Sequence, residues 1–416
     1  RVVDYYSGRP LETLSVQERD RLAEGYRILS VTEYNSGKTQ RAILYSRQFM
    51  DVADYDLERN PNNPERRLNA TLAHAFLGRS LMRQNELDHA LLRFAEAISI
   101  IAPRDSKLTS QFEALATSLE DKSVEDSLAA YLSQFETLLI DFAEIDRQVP
   151  TAFNAALAFE RLGELYRQSG NLKESRESFQ QAKALNRERQ GNVDPASLSP
   201  LERPVVMNAD FRITASIAAL QIELNDLQDA ARTIEETLNI AKANYSRTPE
   251  NYSFIHQMAI AKRLQSSLAR ELEQWTDVRD RALEAEIHAR KLYRHDSDNA
   301  AWALEYGLVK WLLGSYYHSE NRLDNARKEF EIALEVGEEL LARDPHNIEV
   351  IRDFGALTQS ITSVAVEMAE DGQKSEARMI AERLGSCVNA VGPTHFAASG
   401  LQEAHSRLEE ALRENR

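Results

Sequence analysis

The sequence is poor in residues that several special classes of protein require. It contains one cysteine, Cys387, so it can form no internal disulfide and offers no cysteine cluster for a metal. Only 15 of the 416 residues are glycine and 11 are proline, below their average shares of about 7% and 5%. These counts exclude a disulfide scaffold and a collagen-like chain, and they leave too few turn residues for an all-β fold.

Basic runs and long apolar runs are missing as well. Asp and Glu number 66 against 50 Lys and Arg, which gives a net charge of −16, and nowhere are five Lys or Arg consecutive. Because an acidic chain repels a phosphate backbone, we expect no nucleic-acid partner. No apolar run approaches the ~18 residues of a membrane-spanning helix, so we expect no membrane span.

The start of the chain and its cysteine content bear on its context. The sequence begins at Arg1, without a methionine and without the pattern of a signal peptide. The missing methionine is consistent with a fragment of a longer protein. A single cysteine fits a reducing compartment, which favours the cytoplasm slightly over the periplasm.

What the chain does contain is an internal repeat. Four similar stretches can each stop one helix and cap the next with Asn; they are residues 59–63, 247–251, 295–299 and 343–347. The last three follow one another at intervals of 48 residues. A fixed period of this size indicates stacked supersecondary units.

A second pattern lies between these stops. Three windows share Leu-Gly, followed at the same offsets by an apolar or aromatic residue, a small residue, Phe and Ala. The positions are Leu77-Gly78, Leu81, Ala90, Phe94 and Ala97, then Leu162-Gly163, Tyr166, Ser175, Phe179 and Ala182, and finally Leu313-Gly314, Tyr317, Ala326, Phe330 and Ala333. This series resembles the tetratricopeptide repeat (TPR), a helix–turn–helix unit of 34 residues.

The resemblance covers residues 20–391 and implies an all-α fold, a right-handed α-solenoid of stacked antiparallel helical hairpins. Weaker copies of the pattern, together with a further hairpin over residues 103–150, bring the expected number of hairpins to about eight. The 48-residue period makes these elongated TPR-like repeats. The surplus is placed after the second-helix alanine, where helix is expected to run on from Ala333 to Arg343 before Pro345 stops it.

One proline-rich stretch divides the repeats. Gly191, Pro195, Pro200 and Pro204 fall within residues 191–206, which we interpret as a linker. Residues 1–190 are then an N-terminal set of TPR-like repeats, and residues 207–416 a C-terminal set. Residues 402–416 are predicted to form a charged amphipathic cap helix.

Motifs for catalysis or metal binding are absent or incomplete. Residues 36–39 read Ser-Gly-Lys-Thr, but Thr32 stands where a phosphate-binding loop needs glycine, so a plain turn is expected. No His-Glu-x-x-His and no Gly-x-Ser-x-Gly motif occurs. Cys387 lies in an apolar stretch and is expected to be a buried structural thiol. We therefore predict a non-enzymatic protein without a metal or cofactor.

The resemblance also implies a concave groove lined by the first helices of the repeats. The residues it places there are Arg79, Glu160, Glu164, Arg167, Arg212, Arg263, Arg270, Trp311, Ser315 and His318. Arginines near a tryptophan suit an extended or acidic peptide. The Lys and Asn of the family's carboxylate clamp do not stand at these places, so capture of an acidic C-terminus is not expected. The alternative is that these are ordinary solvated side chains.

Three hypotheses for function follow. The leading one is a TPR-type scaffold that binds a protein or peptide partner through its concave face. The second is the regulatory or sensor region of a larger signalling protein, because residues 3–11 look similar to the segment after the catalytic domain in bacterial Ser/Thr kinases with C-terminal TPRs. The third is a self-associating module, since an array with an exposed apolar end can stack on itself.

Overall fold

The structure, a computed structural model, describes residues 2–102, 107–121, 128–146, 154–192, 202–391 and 399–414. These residues form eighteen α-helices and one short 3-10 helix, Leu11–Thr13, and contain no β-strand. The α-helices are α1 (Val2–Tyr6), α2 (Val16–Asn35), α3 (Thr39–Arg59), α4 (Pro64–Arg83), α5 (Leu87–Ile101), α6 (Lys107–Asp121), α7 (Leu128–Asp146), α8 (Ala155–Gln168), α9 (Leu172–Asn192), α10 (Glu202–Glu223), α11 (Leu227–Arg247), α12 (Tyr252–Glu271), α13 (Trp275–His295), α14 (Ala300–Ser319), α15 (Leu323–Arg343), α16 (Ile348–Glu370), α17 (Lys374–Val391) and α18 (Ser399–Glu414).

Helices α2 to α17 follow one another as eight pairs, each a first helix followed by a second helix. In seven of these pairs contacts between the two helices show that they pack against each other, and α10 and α11 are joined by the same kind of turn as the others. The all-α fold of stacked helical hairpins is thereby confirmed. The hairpin expected within residues 103–150 is α6 with α7, whose Phe112 and Phe135 rings meet edge to face at 5.9 Å.

Seven of the hairpin turns share one backbone geometry. The residue that ends each turn has a positive φ, between 55° and 88°; these residues are Gly37, Asn85, Gly170, Asn225, Glu273, Asn321 and Gly372. The next N–H donates to the carbonyl five residues back, for example Arg322 to Tyr317 at 2.9 Å. This is the Schellman ending of a helix, which satisfies carbonyls that the helix leaves open. Residues 36–39 form the first of these turns, as expected.

The predicted stops between hairpins are helix N-caps. The side-chain oxygens of Asn63, Asn251, Asn299 and Asn347 each accept a hydrogen bond from a backbone N–H in the first turn of the next helix. Asn is among the strongest N-caps because its short side chain reaches an N–H that the helix leaves unpaired. Three of these caps stand 48 residues apart, which confirms the period.

The Leu-Gly pattern marks a position where the second helix of a hairpin packs closely on the first. A Cβ added to Gly163 would lie 2.9 Å from the ring of Phe179, and one added to Gly314 would lie 2.5 Å from the ring of Phe330. Both rings are almost fully buried. Glycine is therefore required here by packing, since any larger residue would push the second helix away.

The extra length of the repeats is shared between both helices. Helix α15 does continue to Arg343, as predicted, but α14 already begins at Ala300, ahead of the 34-residue window that starts at residue 307. The expectation that the whole surplus follows the second-helix alanine is wrong. The reason is the N-cap. Asn299 starts α14 immediately after the stop, so the residues between the stop and residue 307 are already helical.

The chain consists of two compact units, Arg1–Ile217 and Ala218–Arg416. In the first unit α2, α3 and α4 share a core around Leu22 and Phe49. In the second unit Phe330, Phe354 and Leu408 belong to one core cluster, and α18 packs on α16 and α17 as a cap helix. Residues 193–201 of the predicted linker lie outside the described residues, while its two ends belong to α9 and α10, so the predicted boundary stays a prediction.

Candidate partner-binding groove

Three successive first helices of the second unit, α12, α14 and α16, lie next to one another. Between them is a groove of about 610 Å³. The groove is lined by Arg270, Glu271, Trp275, Ser315, His318, Ser319, Ser360 and Ser363. It therefore brings together Arg270, Ser315 and His318, three of the residues that the TPR frame predicted. Trp311 contacts two of the lining residues, Ser360 and Arg270.

Trp311 is held on both sides by neighbouring first helices. Its indole N–H donates to Ser360 Oγ on α16 at 3.0 Å, and the Arg270 guanidinium of α12 lies over its ring at 4.3 Å from the ring centroid. Arg270 also pairs with Glu271 at 2.6 Å. A cation over an aromatic face adds roughly 0.5–1 kcal/mol at a partly exposed site. Trp311 thus links three repeats through its ring and its N–H.

Trp311 and Ser360 are 49 residues apart, and a second pair with the same spacing forms another contact across the groove. His318 Nε2 on α14 lies 2.9 Å from Glu367 Oε1 on α16, and Ser315 Oγ donates to the Trp311 carbonyl at 2.9 Å. Most of the remaining lining groups are serine hydroxyls. Such a surface is polar and nearly neutral, and it can exchange hydrogen bonds with amide groups of an extended chain.

A smaller cavity of about 300 Å³ continues the groove toward the last helix. It lies between α16 and α18, where Thr362 Oγ1 donates to the Ala404 carbonyl at 3.4 Å, and it shares Ser360 and Ser363 with the larger groove. Glu403 and Arg407 line its far side. The polar surface of the second unit thus extends over four helices, α12, α14, α16 and α18.

Arg263, also predicted as a groove residue, is engaged with a buried carboxylate. Its Nε–H lies 2.8 and 2.9 Å from the two carboxylate oxygens of Glu305, and Glu305 is 4% exposed. Burial raises the pKa of Glu305 above its ordinary value; Arg263 opposes this shift and Asp353 adds to it. Burial, and then the charge of Arg263, lower the pKa of His256 to about 4, so this imidazole is neutral at pH 7.

The remaining predicted residues lie in the first unit. Arg212 on α10 binds both oxygens of Glu160 on α8, at 2.9 and 2.8 Å. Glu164 accepts a hydrogen bond from Arg161 at 3.0 Å, and Arg79 stacks on the ring of Tyr34 with 4.2 Å between guanidinium carbon and centroid. Arg167 lies half-buried on α8. Five of the ten predicted residues therefore lie in the first unit and five in the second.

A family model for the tetratricopeptide repeat matches residues 156–189, which are α8 and most of α9. The chain is a TPR-like repeat protein. Among solved structures, the apo form of RapI is similar at 12% identity, with 94% of this chain and 98% of that chain covered and a TM-score of 0.46. Yeast Tom70 is similar at 12% identity over 94% of this chain and 64% of its own, with a TM-score of 0.45.

The TPR domain of P58(IPK) is also 12% identical, over 95% of this chain and 99% of its own, with a TM-score of 0.21. This chain spans less than two thirds of the Tom70 chain. No curated protein matches the sequence. The similarity of residues 3–11 to a segment of bacterial kinases stays a prediction.

Ser360, Ser363 and Trp275 are lining residues of this TPR-like protein that the sequence did not identify as such. Ser360 stands 49 residues after Trp311, so carrying the repeat frame one hairpin further into α16 would have found it. Trp275 begins the second helix α13. The TPR pattern predicts groove residues only on first helices, so it does not identify Trp275.

Cysteine, histidine and acidic side chains often form reactive or metal-binding sites, so their surroundings are described next. Cys387 is 4% exposed, and burial raises the pKa of its thiol to about 12, which confirms the buried structural thiol. Across the described ranges no three His, Cys, Asp or Glu side chains gather as they would around a metal ion. None of the helices described has the length and apolar character needed to cross a membrane.

Proposed function

We propose that this TPR-like protein is a non-enzymatic scaffold that binds an extended segment of a protein partner through the concave face formed by its first helices. The observation that carries the proposal is the groove between α12, α14 and α16, which is lined by Arg270, Ser315 and His318. Trp311 packs against it through Arg270 and Ser360. The groove in the second unit is the place where we expect the partner's main contacts.

The chemistry of the groove supports an extended peptide. Hydroxyl groups on Ser315, Ser360 and Ser363 offer donors and acceptors to backbone amides. Trp311 and Arg270 are of the residue types that most often dominate binding energy at interfaces. Because Trp311 is already fixed by Ser360 and Arg270, little side-chain entropy is lost when a partner contacts it.

A peptide array probed with the wild-type protein and with Arg270→Ala tests this proposal. Arg279→Ala is the matched control, because Arg279 also pairs with the next carboxylate, Asp280 at 2.8 Å, and also faces an aromatic ring, Tyr316 at 5.6 Å, but lies outside the groove. We expect the selected peptides to lose about tenfold in affinity with Arg270→Ala and to keep it with Arg279→Ala. An array with no bound peptide, or peptides equally sensitive to both variants, would argue against the groove.

A further inference from the structure

We infer that the outer face of α13 binds a second copy of this chain, and that the two copies pair there with their α13 helices antiparallel. The face centres on Leu283 and Ile287. It belongs to a second helix and shares no residue with the groove, so the inference goes beyond the function proposed for the groove. It gives the hypothesis of self-association a definite surface.

Helix α13 turns one side to the core and the opposite side to solvent. Its buried residues are Val278, Ala282, Ala285, Glu286, Ala289 and Leu292. On the solvent side Leu283 is 44% exposed and Ile287 is 71% exposed. Because they are four residues apart, successive turns of the helix place their side chains next to each other. A single exposed leucine is ordinary, whereas two adjacent branched apolar side chains form a patch that a partner can cover.

Charged side chains of opposite sign stand on either side of this apolar patch. At 3.6 residues per turn, five residues lie within roughly 80° of one another around the helix axis; they are Asp280, Leu283, Ile287, Lys291 and Arg294. The three charged residues among them are exposed. The outer face of α13 is therefore acidic before the patch, apolar at the patch and basic after it.

This order of charges is complementary to itself when the helix direction is reversed. A two-fold axis that passes through the middle of the patch places Leu283 of one copy against the partner's Ile287. The same axis places Asp280 against the partner's Lys291, because both lie almost equally far from the middle. A parallel arrangement would instead set like charges against each other, which disfavours it. Two-fold pairs of this kind are the commonest symmetric oligomers.

The charged groups of this face can still accept a partner. Asp280 pairs with its neighbour Arg279 at 2.8 Å, but the Asp280 side chain is 49% exposed, and a carboxylate accepts several hydrogen bonds. Lys291 and Arg294 make no ion pair with any residue that the structure describes. Exposed ion pairs contribute little to affinity. The apolar patch therefore supplies most of the affinity, and the charges set the orientation.

The size of the contact predicts a reversible dimer. Helix α13 has 21 residues and is therefore roughly 31 Å long. One pair of helices of this length forms a small interface, and interfaces below about 1,200 Å² in total belong to weak or transient complexes. We therefore expect a dissociation constant in the micromolar range.

Sedimentation velocity of the full chain between about 1 and 100 μM tests the inference. We expect the average mass to rise with concentration toward that of a dimer. Ile287→Asp should weaken the dimer about tenfold or more, because it places a charge at the centre of the contact. Ile140→Asp is the matched control, since Ile140 is 55% exposed and lies on α7 in the other unit; it should leave the dimer unchanged.

Reversal of charge tests the antiparallel arrangement. Asp280→Lys and Lys291→Asp should each weaken the dimer, because each variant sets like charges against each other across the two-fold axis. An equal mixture of the two variants should restore the dimer, because in the mixed pair every facing charge is of opposite sign. A mixture that associates no more tightly than either variant alone would overturn the arrangement.

A wild-type chain that stays monomeric at every concentration would overturn the inference, as would a dimer equally sensitive to Ile287→Asp and Ile140→Asp. If Ile287→Asp changed the binding of an array-selected peptide but not the mass, the face would serve a different protein, and self-association through it would be overturned. Arg270→Ala should leave the mass unchanged. The dimer and the groove can therefore fail independently.

Discussion

At the scale of single residues, seven positions with positive φ set the hairpin turns that lie within the described residues. Glycine takes up such a conformation at no steric cost, whereas an L-residue with a Cβ pays roughly 1–2 kcal/mol. Three of the seven turns use Gly, three use Asn and one uses Glu273, at φ 56°. Asn tolerates this region better than most residues, so Glu273 is the position where the conformation costs most.

Glu273→Gly should therefore stabilise the protein by about 0.5–1 kcal/mol. The expected stabilisation is smaller than the strain energy at Glu273, because glycine also has more conformational entropy in the unfolded chain. Urea denaturation of wild type and variant would measure it. Gly170→Ala is the reciprocal control: Gly170 has φ +84° and nothing within 4 Å of an added Cβ, so a loss of stability there would come from backbone conformation alone. A destabilised Glu273→Gly would show that the Glu273 side chain contributes more than its strain costs.

At the scale of elements, polar contacts link the helices of neighbouring hairpins. In the first unit His74 on α4 joins two second helices. Its Nε2 lies 3.2 Å from both carboxylate oxygens of Asp54 on α3, and its Nδ1 lies 3.0 Å from Glu96 on α5. Both ring nitrogens can donate at once only when the imidazole is protonated. The buried ring therefore carries a charge that links three helices.

The interaction of His74 with Asp54 and Glu96 makes the stability of the first unit depend on pH. Burial lowers the pKa of His74, but Asp54 and Glu96 outweigh it and raise the pKa from 6.5 to about 9. Because the folded pKa is the higher one, the contribution is fully present below pH 6.5 and is lost as the pH rises through 9. We expect the free energy of unfolding to fall by about 3 kcal/mol across this window.

Urea denaturation between pH 6 and pH 10 would measure this loss, with His74→Gln as the control. The variant should lose stability at low pH and lack most of the slope between pH 6.5 and 9. An unchanged slope in His74→Gln would assign the pH dependence to other groups.

The same scale explains how far the sequence could predict this structure. Turn and cap residues were predictable because one local rule, Asn or Gly at a helix end, repeats along the chain, and the Leu-Gly and Phe pairs follow from packing within one hairpin. The partners of the groove arginines were not predictable. Arg263 meets Glu305, 42 residues on, while Arg212 meets Glu160, 52 residues back. These pairings depend on how neighbouring first helices are offset, which no periodic pattern records.

At the scale of the whole molecule, the chain consists of two compact units, and in each of them polar contacts join neighbouring first helices. In the first unit Arg212 on α10 binds both oxygens of the buried Glu160 on α8. In the second unit each charged group of the groove has a partner of opposite charge or an aromatic ring, as Arg270 has Glu271 and Trp311. A hydroxyl-lined groove of this kind suits an extended segment of a partner, which is what the proposed scaffold requires.

The affinity of an array-selected peptide for Ser363→Arg, compared with Ser386→Arg, tests the groove most directly. Both serines donate to the carbonyl four residues back, Ser363 to Gln359 and Ser386 to Glu382, but only Ser363 lines the groove. An arginine at Ser363 would fill the groove without removing any core residue. We predict that fluorescence anisotropy will show a loss of affinity of about tenfold or more for Ser363→Arg and none for Ser386→Arg. Equal affinity for wild type and both variants would contradict binding in this groove.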